Sequence, residues 1–163
     1  MRVTRAFPVN LPIERIDLYR WVTEMTSEDY ESFTSAHKAM GGFQHGSRFC
    51  MVNVECIGTD MLVQHYELLD HSTSHVTLYS QRTTGYLLRW FPVTFSVPWE
   101  MRLRRVSSRS CELTCTIGAD IPSVWLRALA WVGGLGSLFL RRHLAAEGSA
   151  FATNIERKFA RPT

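Results

Sequence analysis

Between Arg48 and Ile117 the chain alternates apolar and polar residues. The pattern is broken at Gly58-Thr59, Ser72-Thr73, Thr83-Thr84-Gly85 and Ser107-Ser108-Arg109. A period of two interrupted by glycine, serine and threonine clusters predicts strands joined by tight turns, an antiparallel meander. Further on the period changes. Leu140, Leu144, Gly148, Phe151, Ile155 and Phe159 fall on one stripe at helical spacing, so the chain is expected to end in a long amphipathic helix.

Before the meander, Met1 to Asn10 alternates enough for a short strand. Pro12 then sits where the first turn of a helix tolerates proline, and that helix is expected to run through about Met25. Thr26 or Ser27, followed by Glu28 and Asp29, is a second start signal, and a helix over Tyr30 to Met40 is expected to stop at Gly41-Gly42. After Pro122, Trp125, Leu129 and Val132 have helical spacing ahead of a Gly133-Gly134-Leu135-Gly136 break. At 163 residues, 45% of them hydrophobic, with no linker, repeat or low-complexity segment, the chain reads as one domain, 1–163.

Charge and cysteine content narrow the function. A net charge of +3 with scattered arginines lacks the dense basic stripe of a nucleic-acid binder. Ile121 to Leu140 carries only Arg127 as a charge, but its glycines and Pro122 favour a core helix over a stable membrane span. The opening MRVTRAFPVNLP has no apolar signal region, and four thiols without an export signal read as reduced and cytoplasmic. Cys50/Cys56 and Cys111/Cys115 lie in strand-like segments, where positions six or four apart are separated by roughly 20 or 13 Å, too far to grip one zinc ion together. Glycine-rich phosphate loops, nucleophile elbows and zinc-helix patterns are missing, so neither a metal nor a nucleotide cofactor is expected.

A two-residue loop at Gly58-Thr59 pairs Val52 with His65, Val54 with Val63 and Asn53 with Gln64. One face then carries Cys50, Val52, Val54, Cys56, Met61, Val63, His65, Glu67 and Leu69. A two-residue loop at Ser72-Thr73 pairs Glu67 with Leu78 and adds Val76 and Leu78 to that face, and a loop at Thr83-Thr84 pairs Leu78 with Arg89 and Val76 with Phe91. The odd-numbered run Phe95, Val97, Trp99, Met101, Leu103 continues it, and a three-residue loop at Ser107 to Arg109 matches Leu103 to Leu113 and Met101 to Cys115. This more apolar face is expected to look inward, with His65, Glu67 and Arg89 as polar groups within it. Such groups must pair with one another, with water or with a ligand. Glu67 beside His65 makes the imidazole a candidate acid or base, and Arg89 a candidate partner for a carbonyl or carboxylate. Asn53, Glu55, Gln64, Tyr66 and Tyr79 form a polar and aromatic set on the opposite face, solvated or a homodimer surface unless the faces are inverted, in which case that set becomes the site. His71 and His75 are expected to be solvated beside a turn, and His37, on the second helix, and His143 to lie at the surface.

The order of strand, two short helices, hairpin meander and long terminal helix is carried by MRVTRAFPVNLP, PWEMRLRRVSSRSCELTCTIG and HLAAEGSAFATNIERKF. In this order the chain resembles the START and polyketide cyclase-like superfamily, also called SRPBCC. The resemblance implies an α+β helix-grip fold, a curved antiparallel sheet wrapped around the long helix with an apolar cavity between them for a hydrophobic small molecule. It implies cavity walls at Phe91, Phe95, Trp99, Met101, Trp125, Trp131 and Phe139. Members include polyketide aromatase/cyclases, dehydratases, hydrolases and non-catalytic carriers, so the resemblance implies either proton-transfer chemistry on an aromatic or polyketide-like substrate in secondary metabolism, or transport. Fold alone does not choose.

Overall fold

The computed structural model describes residues 1–87, 89–121, 123–125 and 137–160. Seven strands, β1 (Arg2–Val9), β2 (His37–His45), β3 (Arg48–Ile57), β4 (Asp60–His71), β5 (His75–Leu87), β6 (Phe91–Arg105) and β7 (Cys111–Gly118), form one antiparallel sheet. Its order is β1-β7-β6-β5-β4-β3-β2, a meander whose far edge is closed by the N-terminal strand. Bulges in β2, β4 and β5 interrupt the ladders. Each bulge bends its strand, which helps the sheet curl around a helix.

Between β1 and β2 lie a 3-10 turn (Ile13–Arg15), α1 (Leu18–Thr23) and α2 (Ser27–Phe33). The helix expected from Pro12 onward is broken because Ile16 is extended and Asp17 starts a new helix, its side chain accepting from the Arg20 N–H at 3.0 Å. Thr26 caps α2 as the sequence suggests, in a reciprocal capping box with Asp29. This helix is shorter than expected. It stops at Phe33, Thr34 is extended, and His37 to His45, read from sequence as helix and glycine stop, pairs with β3 as an edge strand. Pairing overrides a segment whose adjacent glycines carry no strand signal.

The long helix α3 (Ser137–Ala160) packs against β1, β7 and α2. Its predicted stripe is the buried one: Leu140, Leu144, Phe151 and Ile155 face the core, with Phe159 packed beside them. Phe151 meets Trp21, Phe33 and Trp99 with ring centroids 4.9 to 5.7 Å apart. Gly148 lets the helix approach β1 closely, since a Cβ there would lie 2.1 Å from the Phe7 ring. The indole N–H of Trp21 donates to Asn154 Oδ1 at 2.8 Å, satisfying two buried polar groups at once.

Several registers are those read from the sequence. Val52 faces His65, Val54 faces Val63, Asn53 faces Gln64, Leu103 faces Leu113 and Met101 faces Cys115. Two hairpins differ. At Ser72 the loop is longer than two residues, with His71 opposite Val76, and a bulge near Leu69 then places Leu68, not Glu67, opposite Leu78. That net shift of one residue reverses the face of β3 and β4 relative to β5. Thr83-Thr84-Gly85 is not a turn but lies inside β5, with Thr83 opposite Phe95, so Leu78 pairs with Trp99 instead of Arg89 and Val76 with Met101 instead of Phe91. Gly85 serves packing: a Cβ there would lie 2.8 Å from the Phe95 ring.

Among the described residues, no helix is long and apolar enough to cross a membrane. Most of Ile121 to Leu140, including the predicted helix around Leu129 and Val132, lies outside them.

A buried histidine and glutamate cluster as candidate functional site

The inner face of β3 and β4 carries Met51, Asn53, Glu55 and Ile57 opposite Leu62, Gln64, Tyr66 and Leu68, all buried. The expectation that His65 and Glu67 look inward is therefore corrected: both are exposed on the outer face, and Glu67 pairs there with Arg48 at 2.5 Å. Arg89 lies at the exposed tip between β5 and β6 in a left-handed conformation, φ 66°, and does not join them. Of the proposed wall residues, Phe95, Trp99 and Met101 are buried as expected. Phe91 is not, being 62% exposed, and neither is Trp125, which is 86% exposed. Trp131 and the side chain of Phe139 fall outside the described residues.

What the inner face brings together is the set read as the alternative, without Tyr79, which is half-buried opposite Glu67. Glu55 lies 2% exposed and Gln64 Nε2 donates to its Oε1 at 2.6 Å. From the long helix, His143 and Glu147, one turn apart, project toward it. His143 Nε2 is 3.0 Å from Glu55 Oε2 and 3.8 Å from Glu147 Oε2. His37, at the start of β2, completes the group with Nε2 3.2 Å from Glu147 Oε1 and 3.8 Å from Glu55 Oε2. Both histidines, expected at the surface, are buried: His37 is 3% exposed and His143 9%.

The cluster is held rigidly from behind. The His37 ring lies flat on Tyr30, centroids 3.9 Å apart and planes 1° from parallel, and its Nδ1 is 2.7 Å from the Tyr30 carbonyl oxygen. A carbonyl can only accept, so Nδ1 carries the hydrogen and donates. Nε2 of a neutral His37 then offers a lone pair to the interior. Although the imidazole nitrogens approach the carboxylates closely, His37 Nε2, His143 Nε2 and Glu147 Oε2 have no aligned hydrogen-bond partner. These are close approaches around a common centre, the four side chains each placing one atom within 4.8 Å of the others.

Electrostatics follow from the crowding. Burial by itself would depress the His143 imidazole, but the charges of Glu147 and Glu55 outweigh it and push it up to about 9. Burial would raise the Glu55 carboxyl, yet His143, His37 and Gln64 together hold it below its ordinary value. Burial, reinforced by both glutamates, drives the Tyr30 and Tyr66 hydroxyls well up.

Glu55 and Gln64 also wall a narrow void between sheet and helix, together with Leu62, Phe95, Val97, Ile117 and Leu140. Its volume of about 10 Å³ admits about one water molecule, far less than the cavity the resemblance implies. An open groove of about 490 Å³ at Met1, Gln81, Thr94 and Ser96 shares two walls with it, Phe95 and Ala119.

One signal for this site was present in the sequence. His143 and Glu147 immediately precede Leu144 and Gly148 of the apolar stripe, which places them on the flank of the inward face. His37 carried no such signal, because its strand was hidden.

The chain's sequence matches no protein-family profile and no curated protein. Its structure does match solved ones. The aromatase/cyclase Zhui from Streptomyces sp. R1128 superimposes with a TM-score of 0.69 at 10% identity, over 97% of this chain and 94% of that one. A START superfamily protein from Mycobacterium smegmatis gives 0.63 at 10% identity, over 96% and 97%. Major latex-like protein 151 from Panax ginseng gives 0.62 at 8% identity, over 95% and 97%. The fold is thus the START and polyketide cyclase-like helix-grip fold: an antiparallel seven-stranded sheet around a long C-terminal helix. At such identities the likeness concerns the fold and not the residues of the site.

Proposed function

We propose that this chain binds a hydrophobic, aromatic or polyketide-like small molecule between sheet and long helix, and promotes proton-transfer chemistry on it at the buried histidine and glutamate cluster. One observation carries the reading: Glu55 and Gln64 belong both to the cluster and to the wall of the apolar void. A guest there would lay its carbon skeleton against Phe95, Val97 and Ile117 and turn its oxygen toward Glu55. The sites of small-molecule proteins have this character, apolar walls with a few convergent polar groups. In this reading the guest enters from the open groove and displaces the Phe95 ring, since the void itself holds only about one water molecule. The fold's likeness to an aromatase/cyclase supports the choice of substrate class. His65, Glu67 and Arg89, being outside, are not given the chemistry.

Native mass spectrometry of gently extracted protein, followed by titration with aromatic ketones and phenols while the combined tryptophan emission is monitored, tests the reading. A co-purifying small molecule, or saturable emission changes that Phe95→Trp alters, support it. A protein that arrives empty and leaves the emission unchanged overturns it. Turnover of the bound compound that Glu55→Gln abolishes marks an enzyme; binding without turnover marks a carrier.

A further inference from the structure

We infer that His37, Glu55, His143 and Glu147 form a buried site for one first-row divalent transition-metal ion of the zinc type. Each residue offers one ligand atom, and the four atoms lie within 4.8 Å of one another. Four donors about 2.0 to 2.2 Å from a tetrahedral ion stand about 3.3 to 3.6 Å apart. The nitrogen-to-oxygen separations here, 3.0 and 3.8 Å to Glu55 Oε2, with 3.2 Å to Glu147 Oε1 and 3.8 Å to Glu147 Oε2, bracket that spacing.

Three further observations distinguish this arrangement from an ordinary ion-pair network. First, His37 Nε2, His143 Nε2 and Glu147 Oε2 are buried without aligned hydrogen bonds, so the groups converge on a point and not on one another. Second, the far side of the ligands is already engaged. The Nδ1–H of His37 donates to the Tyr30 carbonyl and Gln64 donates to the other oxygen of Glu55. Outer contacts of this kind fix the tautomer and orientation of metal-binding side chains. Third, once metal binding displaces the His143 proton, two carboxylates and two neutral imidazoles present a net charge of −2, which one divalent cation neutralises within the buried group. Mixed nitrogen and oxygen donors favour a transition ion over magnesium or calcium, which prefer oxygen alone. When bound, such an ion would place a Lewis acid at the inner end of the void. Its binding does not depend on an organic guest, so the two readings stand or fall separately.

The test uses the full, tag-free chain stripped with a chelator, then titrated with Zn2+ by calorimetry and with Co2+ by visible absorption. One equivalent is expected to bind, Co2+ should give the intense visible bands of a four-coordinate ion, and melting should move upward with Zn2+ concentration. His37→Gln and Glu147→Gln should each weaken Zn2+ binding by at least about 100-fold, at the upper end of what loss of a supporting contact costs because a direct ligand is removed. His65→Gln, on the outer face, should leave it unchanged. The wild-type Co2+ spectrum decides the matter even if a cluster variant fails to fold. Absence of stoichiometric binding, a six-coordinate Co2+ spectrum, or binding unaffected by both glutamine variants overturns the inference.

Discussion

Strands β6 and β7 present Phe95, Val97, Trp99, Met101, Leu103, Leu113, Cys115 and Ile117 to the interior, whereas β3 and β4 present Asn53, Glu55 and Gln64 among Met51, Leu62 and Leu68. The same helix closes both regions. Its Phe151 and Ile155 fill the core with apolar bulk, and its His143 and Glu147 extend the polar group. The difference separates two tasks. The apolar region supplies area removed from water, which stabilises any packed core. Buried charges in the other region cost desolvation that their mutual attraction seldom exceeds, so their presence points to chemistry rather than stability.

The sharpest way to break this contrast is to truncate each region. Phe151→Ala is expected to cost about 3 to 5 kcal/mol in urea unfolding, because three aromatic neighbours cannot collapse into the space it leaves. In metal-free protein His143→Leu is expected to cost on the order of 3 kcal/mol, leaving Glu55 buried without its nearest cation. Adding Glu55→Leu to that variant should restore part of the loss, since the pair of His37 and Glu147 remains. A double-mutant cycle that is additive would erase the distinction between the regions.

Gly148→Ala should cost about 1 to 3 kcal/mol through overpacking against Phe7, although alanine is the better helix former by about 1 kcal/mol. Phe7→Leu in the same chain should recover part of that loss in thermal melts.

The smallest effects belong to the cap of α2. Thr26→Ala should cost about 1 kcal/mol. Burial tends to raise the Asp29 carboxyl, but hydrogen bonds from the Thr26 backbone and hydroxyl, and from Asn154, hold it below its ordinary value. Its contribution to stability is therefore complete above the unfolded carboxyl's pKa and fades as pH falls through the lower folded value. Urea midpoints followed from neutral pH into acid should decline less steeply for Asp29→Asn than for wild type.

Much of the fold was legible because it is local or repetitive. The Gly58-Thr59 hairpin gave its own register, as did the turn at Ser107 to Arg109, and the stripe from Leu140 to Phe159 marked the long helix. The site was less legible for a specific reason. A count of apolar residues favours Val52, Val54 and Val63 as the inner face of β3 and β4, while Asn53, Glu55 and Gln64 resemble a wet surface. That inference holds where burial alone decides the face, and it fails where buried polar groups find partners on another element. Here the partners came from β2, whose glycines concealed a strand, and from the flank of α3.

Alternation, turn residues and helical spacing along the chain determined the order of elements, the paired positions in two hairpins and the inward stripe of the terminal helix, since each depends on neighbours close in sequence. Only the tertiary structure decided which side of β3 and β4 is interior and that His37 and Glu55 meet His143 and Glu147. Those outcomes hang on one extra residue in a bulge and on contacts across a hundred positions, where no short-range pattern reaches.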